Sequence, residues 1–214
     1  DYGFARIQPS SYNQIANVLT SSGYSTGIMR RLIGNSEYPG NQEFREDLLN
    51  KICDELNTSF DTTYTLSVID SFKNRLVPEM EEHIDRWNKP GNYNWWANTQ
   101  IETNMKNFAR ERPDYLRGHL RSQFGISQDA KLTLNVSNIN AGVIKINSKI
   151  IEHSTAGVPE QTYPWQGIYF PGIPFTLTAM KNPGYNFVCW STGDSCVTIN
   201  VVLSSDSTIT AIFE

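Results

Sequence analysis

The sequence predicts an α+β chain of two domains, a helical domain over residues 1–127 and a small antiparallel β-sandwich over residues 128–214. Near Gly125 the apolar residues change from the three-four spacing of helices to the alternation of strands. The charge density falls at the same point, because residues 1–128 hold 14 Lys/Arg and 16 Asp/Glu, whereas residues 129–214 hold 4 and 6. A chain of this length can form two ordinary domains.

The clearest helix of the first half is predicted over Asn41–Leu56, where apolar residues form one stripe at three-four spacing. A second apolar pattern covers Leu66–Leu76. Pro78 suits the first turn of a further helix, which we expect to end near Trp87. The Ser/Gly/Asn-rich segment between Asp1 and Asn35 predicts a long loop with at most short helices.

Two more helices are predicted before the composition changes. One follows the Pro90-Gly91 loop and covers Trp95–Ala109, and Pro113 restarts the chain in another. Gly125 ends this last helix, since glycine readily adopts the left-handed conformation of a helix end.

The second half contains strands whose inward residues alternate with polar neighbours, at Leu132–Val136, Phe175–Ala179, Val197–Leu203 and Ile209–Phe213. Phe187 and Trp190 are predicted in the core between them. Cys189 and Cys196 flank a turn and are candidates for a disulfide that closes a hairpin. Cys53 lies in an apolar stripe and is interpreted as a buried free thiol.

Charge and hydropathy exclude some partners. The net charge of -4, with neither sign gathered in a run, gives no reason to expect nucleic acid or an anionic membrane. No apolar stretch reaches the length of about 18 to 20 residues that a membrane span needs, so none is predicted.

Two clusters of side chains are candidates for binding. Trp165, Tyr169 and Phe170 could line a groove for carbohydrate or peptide, or could equally pack on an edge strand. The arginines of the last helices could attract phosphate or form a solvated, ion-paired face; they are Arg110, Arg112, Arg117 and Arg121.

The helical half resembles the C-terminal part of the CotH (spore coat protein H) kinase family. The resemblance covers about the first 125 residues and is carried, in order, by Asp1-Tyr2-Gly3-Phe4, Arg31–Asn35, Phe44-Arg45, Val77–Met80 with His83 and Arg86-Trp87, and Asn107–Pro113 with Leu116, His119-Leu120 and Phe124-Gly125. It implies the C-lobe-like portion of an atypical kinase fold that transfers phosphate from ATP to secreted or spore-surface proteins.

The resemblance places only Asp1 on a catalytic element, as the aspartate that holds magnesium against the nucleotide phosphates. It implies Mg²⁺ or Mn²⁺ with ATP as cofactors of the parent protein. The phosphate-pairing lysine and the catalytic base would precede Asp1. We therefore expect this chain alone to be inactive, to bind no cofactor tightly, and to expose apolar surface where the rest of the kinase packs. The segment after Asp1 is either a substrate-facing activation segment or a poorly ordered terminus.

The second half resembles the divergent internalin-type B-repeats of bacterial surface proteins, through Gly184–Trp190 and Ile209–Phe213. This resemblance implies a secreted or cell-surface protein whose partners are a protein substrate or a cell-surface component, with carbohydrate as a further candidate. Two functions follow: a secreted CotH-type protein kinase with a β module for attachment or display, or a non-catalytic extracellular scaffold with a kinase-like binding platform.

Overall fold

The computed structural model describes residues 9–21 and 23–214. The helices of this part of the chain are α1 (Gln14–Thr20), α2 (Tyr24–Ile33), α3 (Gln42–Leu56), α4 (Thr62–Trp87), a π-helix (Trp95–Met105) and α5 (Lys106–Phe124). The strands are β1 (Ala130–Val136), β2 (Gly142–Ile146), β3 (Lys149–Ile151), β4 (Trp165–Tyr169), β5 (Pro174–Lys181), β6 (Phe187–Trp190), β7 (Thr198–Val202) and β8 (Ser207–Phe213).

Helix α3 forms where its apolar stripe predicts it. The side chain of Asn41 caps the helix by accepting a 2.8 Å hydrogen bond from the backbone N–H of Phe44. Leu49 and Cys53 are buried on its inner face, and Cys53 carries a free thiol, as predicted. The stretch before Asn41 contains the short helices α1 and α2.

Helix α4 corrects the prediction of two helices divided at Pro78, because it runs unbroken through that proline for 26 residues. An interior proline costs a helix about 3 kcal/mol, since it lacks an N–H and crowds the preceding turn. One continuous face of α4 offsets this cost by packing against Trp96, Ala97 and Ile101 of the π-helix. That face consists of Ile69, Val77, Met80 and Ile84.

The helix predicted after residue 94 is a π-helix over its first 11 residues and continues into α5 without the break predicted at Pro113. The wider π-helical turn brings residues five apart onto one side, which suits the burial of both Trp96 and Ile101. Pro113 and Leu120 are buried along α5. Gly125 ends the helix at φ 67°, as predicted.

The strands form two four-stranded sheets, in the orders β4-β1-β8-β6 and β3-β2-β5-β7. The predicted strands at Leu132, Phe175, Val197 and Ile209 correspond to β1, β5, β7 and β8, whereas the other four were not predicted. The expectation of wholly antiparallel pairing is wrong for β1 and β8, which are parallel. Strand β8 enters its sheet by a crossover from β7 in the other sheet, so no hairpin fixes its direction.

One hydrophobic core crosses the change in composition near Gly125. Leu49 and Cys53 of α3 and Leu120 of α5 belong to the same buried cluster as residues from both sheets, including Leu132 and Leu177. A second, smaller cluster joins α4 to the π-helix. The division into two domains remains an interpretation, since helices give way to strands there but the buried core continues.

The cysteines of the β module do not form the candidate disulfide, because Cys189 and Cys196 both carry free thiols. The indole N–H of Trp190 donates a 2.9 Å hydrogen bond to the carbonyl of Cys196. Successive side chains of a strand point to opposite faces, so Cys189 points away from the face on which Trp190 reaches Cys196. Trp190 itself is fully buried, as predicted, while Phe187 is half-buried.

Candidate functional site

Arg112 of α5 holds the backbone at Ser10 and Tyr12, downstream of the Asp-aromatic-Gly element of residues 1–3. Its Nη1 donates hydrogen bonds to the carbonyls of Ser10, at 2.8 Å, and Tyr12, at 2.7 Å. The neighbouring Glu111 accepts a 2.6 Å hydrogen bond from the hydroxyl of Ser10. Asp1, the residue implied to hold magnesium, lies outside the described residues.

The position of Arg112 explains its effect on the segment. It is half-buried, and burial lowers the pKa of its guanidinium. Within the described ranges it forms no salt bridge, and its hydrogen bonds go to the two carbonyls. Charge-assisted hydrogen bonds are about twice as strong as neutral ones. Residues 111 and 112 therefore anchor the start of the described chain on α5.

The second group of residues that carries the family resemblance builds a tight loop between α2 and α3. Gly34 and Gly40 have φ of 92° and 76°, and a Cβ atom on Gly40 would lie 2.6 Å from the carbonyl oxygen of Ile33. Nη1 of Arg45 donates a 3.1 Å hydrogen bond to the carbonyl of Pro39. Glycine is therefore required where the two ends of the loop touch.

Asn35 closes the same loop from inside. Its Oδ1 accepts hydrogen bonds from the backbone N–H groups of Glu37, at 3.0 Å, and Tyr38, at 2.9 Å. Its backbone N–H donates to the carbonyl of Tyr38 at 2.9 Å. An asparagine in this position stabilises a turn by replacing backbone partners. Asn35, which is one of the residues that carry the family resemblance, thus stabilises the loop between α2 and α3.

A polar stripe on α3 joins the helical half to the β module. Asn50, Asp54 and Asn57 follow each other at spacings of four and three, so they lie on one side of the helix end. Nδ2 of Asn50 donates a 2.7 Å hydrogen bond to the carbonyl of Pro174. The other two residues of this stripe bind β4 and the loop after β2.

Asn57 pairs with the edge strand β4 as another strand would. Its Nδ2 donates to the carbonyl of Ile168, and its Oδ1 accepts from the N–H of Ile168, both at 2.9 Å. Arg117 of α5 donates a further hydrogen bond to the same Oδ1 at 3.1 Å. One amide therefore satisfies backbone groups that an edge strand leaves unpaired.

Asp54 is the buried charge of this junction, with only 1% of its surface exposed. Its Oδ1 accepts a 2.8 Å hydrogen bond from the hydroxyl of Tyr169, and Nδ2 of Asn147 donates to both carboxylate oxygens, at 3.1 and 3.3 Å. Burial raises the pKa of Asp54 to about 6, although these hydrogen bonds and the charges of Lys51 and Lys149 oppose the rise. The same burial raises the pKa of Tyr169.

Glu55, the next residue, shows the opposite behaviour at the edge of the junction. Lys149 of β3 and Lys51 of α3 contact its carboxylate oxygens at 2.9 and 3.0 Å. Although burial alone would raise the pKa of Glu55, the hydrogen bonds from Lys149 and Lys51 lower it to about 2. This ion pair spans the junction from the helix to the sheet.

The loop after β3 makes the closest contact across the junction. Gly157 has φ of 80°, and a Cβ atom there would lie 1.8 Å from the carbonyl oxygen of Thr58. No other residue fits, since any side chain would push α3 off the β module. Gly157 and the polar stripe were not predicted from the sequence. The three-four spacing of Asn50, Asp54 and Asn57 beside an apolar stripe does indicate that these polar residues share one side of the helix.

The aromatic residues considered for a ligand groove lie in the core. Trp165, Tyr169 and Phe170 are all buried, and β4 is an edge strand of its sheet. Tyr169 stacks on Phe175 with ring centroids 5.3 Å apart, and its hydroxyl serves Asp54. These residues therefore do not form an open ligand surface.

The four arginines of α5 do not form one phosphate-binding row. Arg110 donates to Asn107 at 2.9 Å, and Arg121 pairs with Asp129. Arg112 holds the segment at Ser10 and Tyr12, whereas Arg117 points into the junction with β4. The interpretation of a solvated, ion-paired face fits Arg121 alone.

No group of three or more His, Cys, Asp or Glu side chains within residues 9–21 and 23–214 has the arrangement to hold a metal ion. None of the helices in the described ranges is both long and apolar enough to cross a bilayer.

The fold is thus an α+β arrangement in which α5 holds the backbone at Ser10 and Tyr12, and a polar junction joins the helices to a β module. Residues 11–116 match the family model of the CotH kinase protein, and residues 160–214 match that of the divergent InlB B-repeat domain. The two matches follow each other in the order of the resemblances recognised from the sequence. The searches of curated proteins and of solved structures found no match.

Proposed function

We propose that this chain is the C-terminal portion of a CotH-type atypical protein kinase, which transfers phosphate from ATP to serine or threonine residues of proteins. The helical half completes the large lobe of that kinase. Asp1 holds Mg²⁺ or Mn²⁺ against the nucleotide phosphates, and the chain by itself is inactive because one metal-binding carboxylate cannot supply both the positioning and the charge neutralisation of phosphoryl transfer.

The observation that carries this proposal is the anchor of Arg112 on the carbonyls of Ser10 and Tyr12. Phosphoryl transfer depends on placing charges accurately, so a metal-binding aspartate needs a fixed backbone behind it. Arg112 belongs to the Asn107–Pro113 motif of the family resemblance, and the carbonyls that it holds lie nine and eleven residues after Asp1. A motif residue far away in sequence thus supports the chain that follows the Asp-aromatic-Gly element.

The β module attaches the kinase to a surface or presents it to substrates. Its match to a B-repeat domain supports a secreted or cell-surface location, including the spore coat, with a protein substrate or a surface component as partner. The junction at Asn57 and Asp54 supports a fixed rather than a flexible attachment, because its hydrogen bonds are directional and partly buried.

The test is phosphate transfer from labelled ATP, with Mg²⁺ or Mn²⁺, in the longest natural form of the protein and in its Asp1→Ala variant. We expect Asp1→Ala to abolish transfer and leave the unfolding temperature unchanged, since a metal carboxylate in a loop packs little. Arg112→Gln should lower kcat because it releases the segment.

The matched control is Asp85→Ala, which removes an exposed carboxylate from α4. It should retain full activity. Transfer that is unchanged in Asp1→Ala would remove Asp1 from the mechanism, and no transfer by the folded wild-type protein to any of several acceptors would overturn the kinase proposal.

A non-catalytic extracellular scaffold is the second candidate, because the helical half presents large apolar side chains to solvent. Phe72 and Leu76 of α4 are 60% and 47% exposed, and Trp87 at its end is 62% exposed. Such a surface suits a protein partner. A folded protein without transferase activity that binds a surface protein through this face would support the scaffold.

A further inference from the structure

A cavity of about 330 Å³ lies between the end of α3, the start of α4, helix α5 and the strands β1 and β4. Three of the residues that line it are cationic: Arg110 and Arg117 of α5, and Lys131 of β1. The other charged residues of its wall are Asp61 and Asp114. The balance is therefore positive, although the chain as a whole is acidic.

Arg117 is the buried cation of this wall, with 6% of its surface exposed. Nη2 donates to Asn57 at 3.1 Å, but the buried Nε has no hydrogen-bond partner. Its contact with a carboxylate is long, at 3.9 Å to Asp114, whose side chain is 91% exposed. A buried guanidinium with an unused donor is costly, so this geometry favours an additional acceptor.

The two other cations have no carboxylate partner in the described parts of the chain. Neither Arg110 nor Lys131 forms a salt bridge there. The carboxylate of Asp61 keeps its charge while its Oδ1 caps α4 by accepting a 3.0 Å hydrogen bond from the N–H of Tyr64. The three cations of the cavity wall thus outnumber its two carboxylates by one.

The start of α4 adds backbone donors to the same wall. Thr62 is the first residue of this 26-residue helix and lines the cavity. The first N–H groups of a helix lack intrahelical acceptors, and its N-terminus carries partial positive charge. An anion in the cavity would therefore meet both side-chain and backbone donors.

We propose that this cavity binds a phosphoryl group, as free phosphate or as a small phosphomonoester. A tetrahedral oxyanion has enough acceptor oxygens for the guanidinium of Arg117, for Arg110 or Lys131 and for the start of α4. The site lies on the junction between the helical half and the β module, so the bound anion also strengthens that junction. It does not depend on kinase activity of the protein.

The experiment is calorimetric titration of the 214-residue chain with sodium phosphate and, separately, with O-phosphoserine, at constant ionic strength with sodium chloride as reference. We expect one bound phosphoryl group per chain at millimolar concentration. Arg110→Gln and Lys131→Gln should each weaken binding about tenfold, the effect of losing one charge-assisted hydrogen bond.

The matched control is Arg75→Gln, an exposed cation of α4 outside the cavity, which should bind phosphate as the wild type does. Arg110 and Lys131 are exposed as well, so their variants should keep the wild-type unfolding temperature. Preference for one of the two ligands identifies the source of the phosphoryl group. No saturable binding of either ligand, or equal weakening by Arg75→Gln, would overturn the site.

Discussion

The β module buries its large apolar side chains, whereas the helical half leaves several of them in solvent. Trp165, Tyr169 and Trp190 are buried in the module, and its exposed large apolar residues are aliphatic. In the helical half, Phe60, Phe72, Leu76 and Trp87 are between 47% and 62% exposed. The module therefore completes a core together with α3 and α5, while α4 leaves an apolar face in solvent, and such a face is suited to contact another protein surface.

The helical half makes two contacts of different chemistry, one with the β module and one between α4 and the π-helix. Its contact with the β module combines the shared apolar core with directional hydrogen bonds, such as those of Asn57 with Ile168. Its internal contact between α4 and the π-helix is apolar and involves Met80 and Trp96. Directional bonds fix orientation, whereas an apolar contact mainly supplies stability. The junction is thus suited to hold the two halves in one arrangement.

The largest effect is expected from Gly157→Ala, because its Cβ atom would overlap the carbonyl of Thr58 and because φ at this position is 80°. We expect the free energy of unfolding, measured in urea, to fall by about 4 kcal/mol. Gly193→Ala is the matched control. It has φ of 95° but no atom within 4 Å, so it should cost only about 1 kcal/mol. Equal losses would show that the junction does not require this close contact.

The shared core predicts that a helical residue stabilises the β module. Leu120→Ala should lower the free energy of unfolding by about 3 kcal/mol, since Leu120 is fully buried in the cluster that contains both sheets. Leu76→Ala, at a half-exposed leucine of α4, should cost less than about 1 kcal/mol. Hydrogen exchange of β1 and β8 provides the second measurement. Unchanged protection there in Leu120→Ala would mean that the two halves unfold independently.

Asp54 predicts a pH dependence of the junction. Its pKa is about 6 in the folded chain, against 3.8 as the reference value, so the folded state favours the protonated acid. The resulting destabilisation, on the order of 3 kcal/mol, is complete above pH 6 and disappears as the pH falls from 6 towards 4. The wild type should therefore gain free energy of unfolding between pH 7 and pH 5.

The matched variants for this pH dependence are Asp54→Asn, which should lose the gain, and Asp85→Asn, which should keep it. Glu55 does not interfere, because its pKa of about 2 makes its stabilising ion pair disappear only at lower pH. A gain that persists in Asp54→Asn would assign the titration to another group.

The smallest effect concerns the thiols. Alkylation of the native chain without reductant should modify Cys196, which is exposed, and then Cys189, which is half-buried. Cys53 should react only after unfolding, because burial raises its pKa to about 12. Cys196→Ser should change the free energy of unfolding by less than about 0.5 kcal/mol. If Cys189 and Cys196 react only after reductant is added, the predicted disulfide between them exists.

Local patterns predicted α3, the end of α5 at Gly125, four strands and the order of the two family segments. In these places the spacing of apolar residues and the positive φ of one glycine determine the outcome. The helix breaks predicted at Pro78 and Pro113 are wrong for a physical reason. Pro78 and Pro113 disfavour a helix locally, but each lies in a helix whose face is packed on both sides of it, which local sequence does not reveal.

The sequence by itself therefore determined the composition boundary, the type of most elements and the resemblance to the CotH family, since these depend on neighbouring residues. Tertiary structure alone decided that the core crosses the boundary, that Asn57 pairs with Ile168, and that Arg112 holds Ser10 and Tyr12. The contacts of Asn57 and Arg112 join residues 111 and 102 positions apart. Their geometry depends on how the helices and sheets pack, which no local spacing encodes.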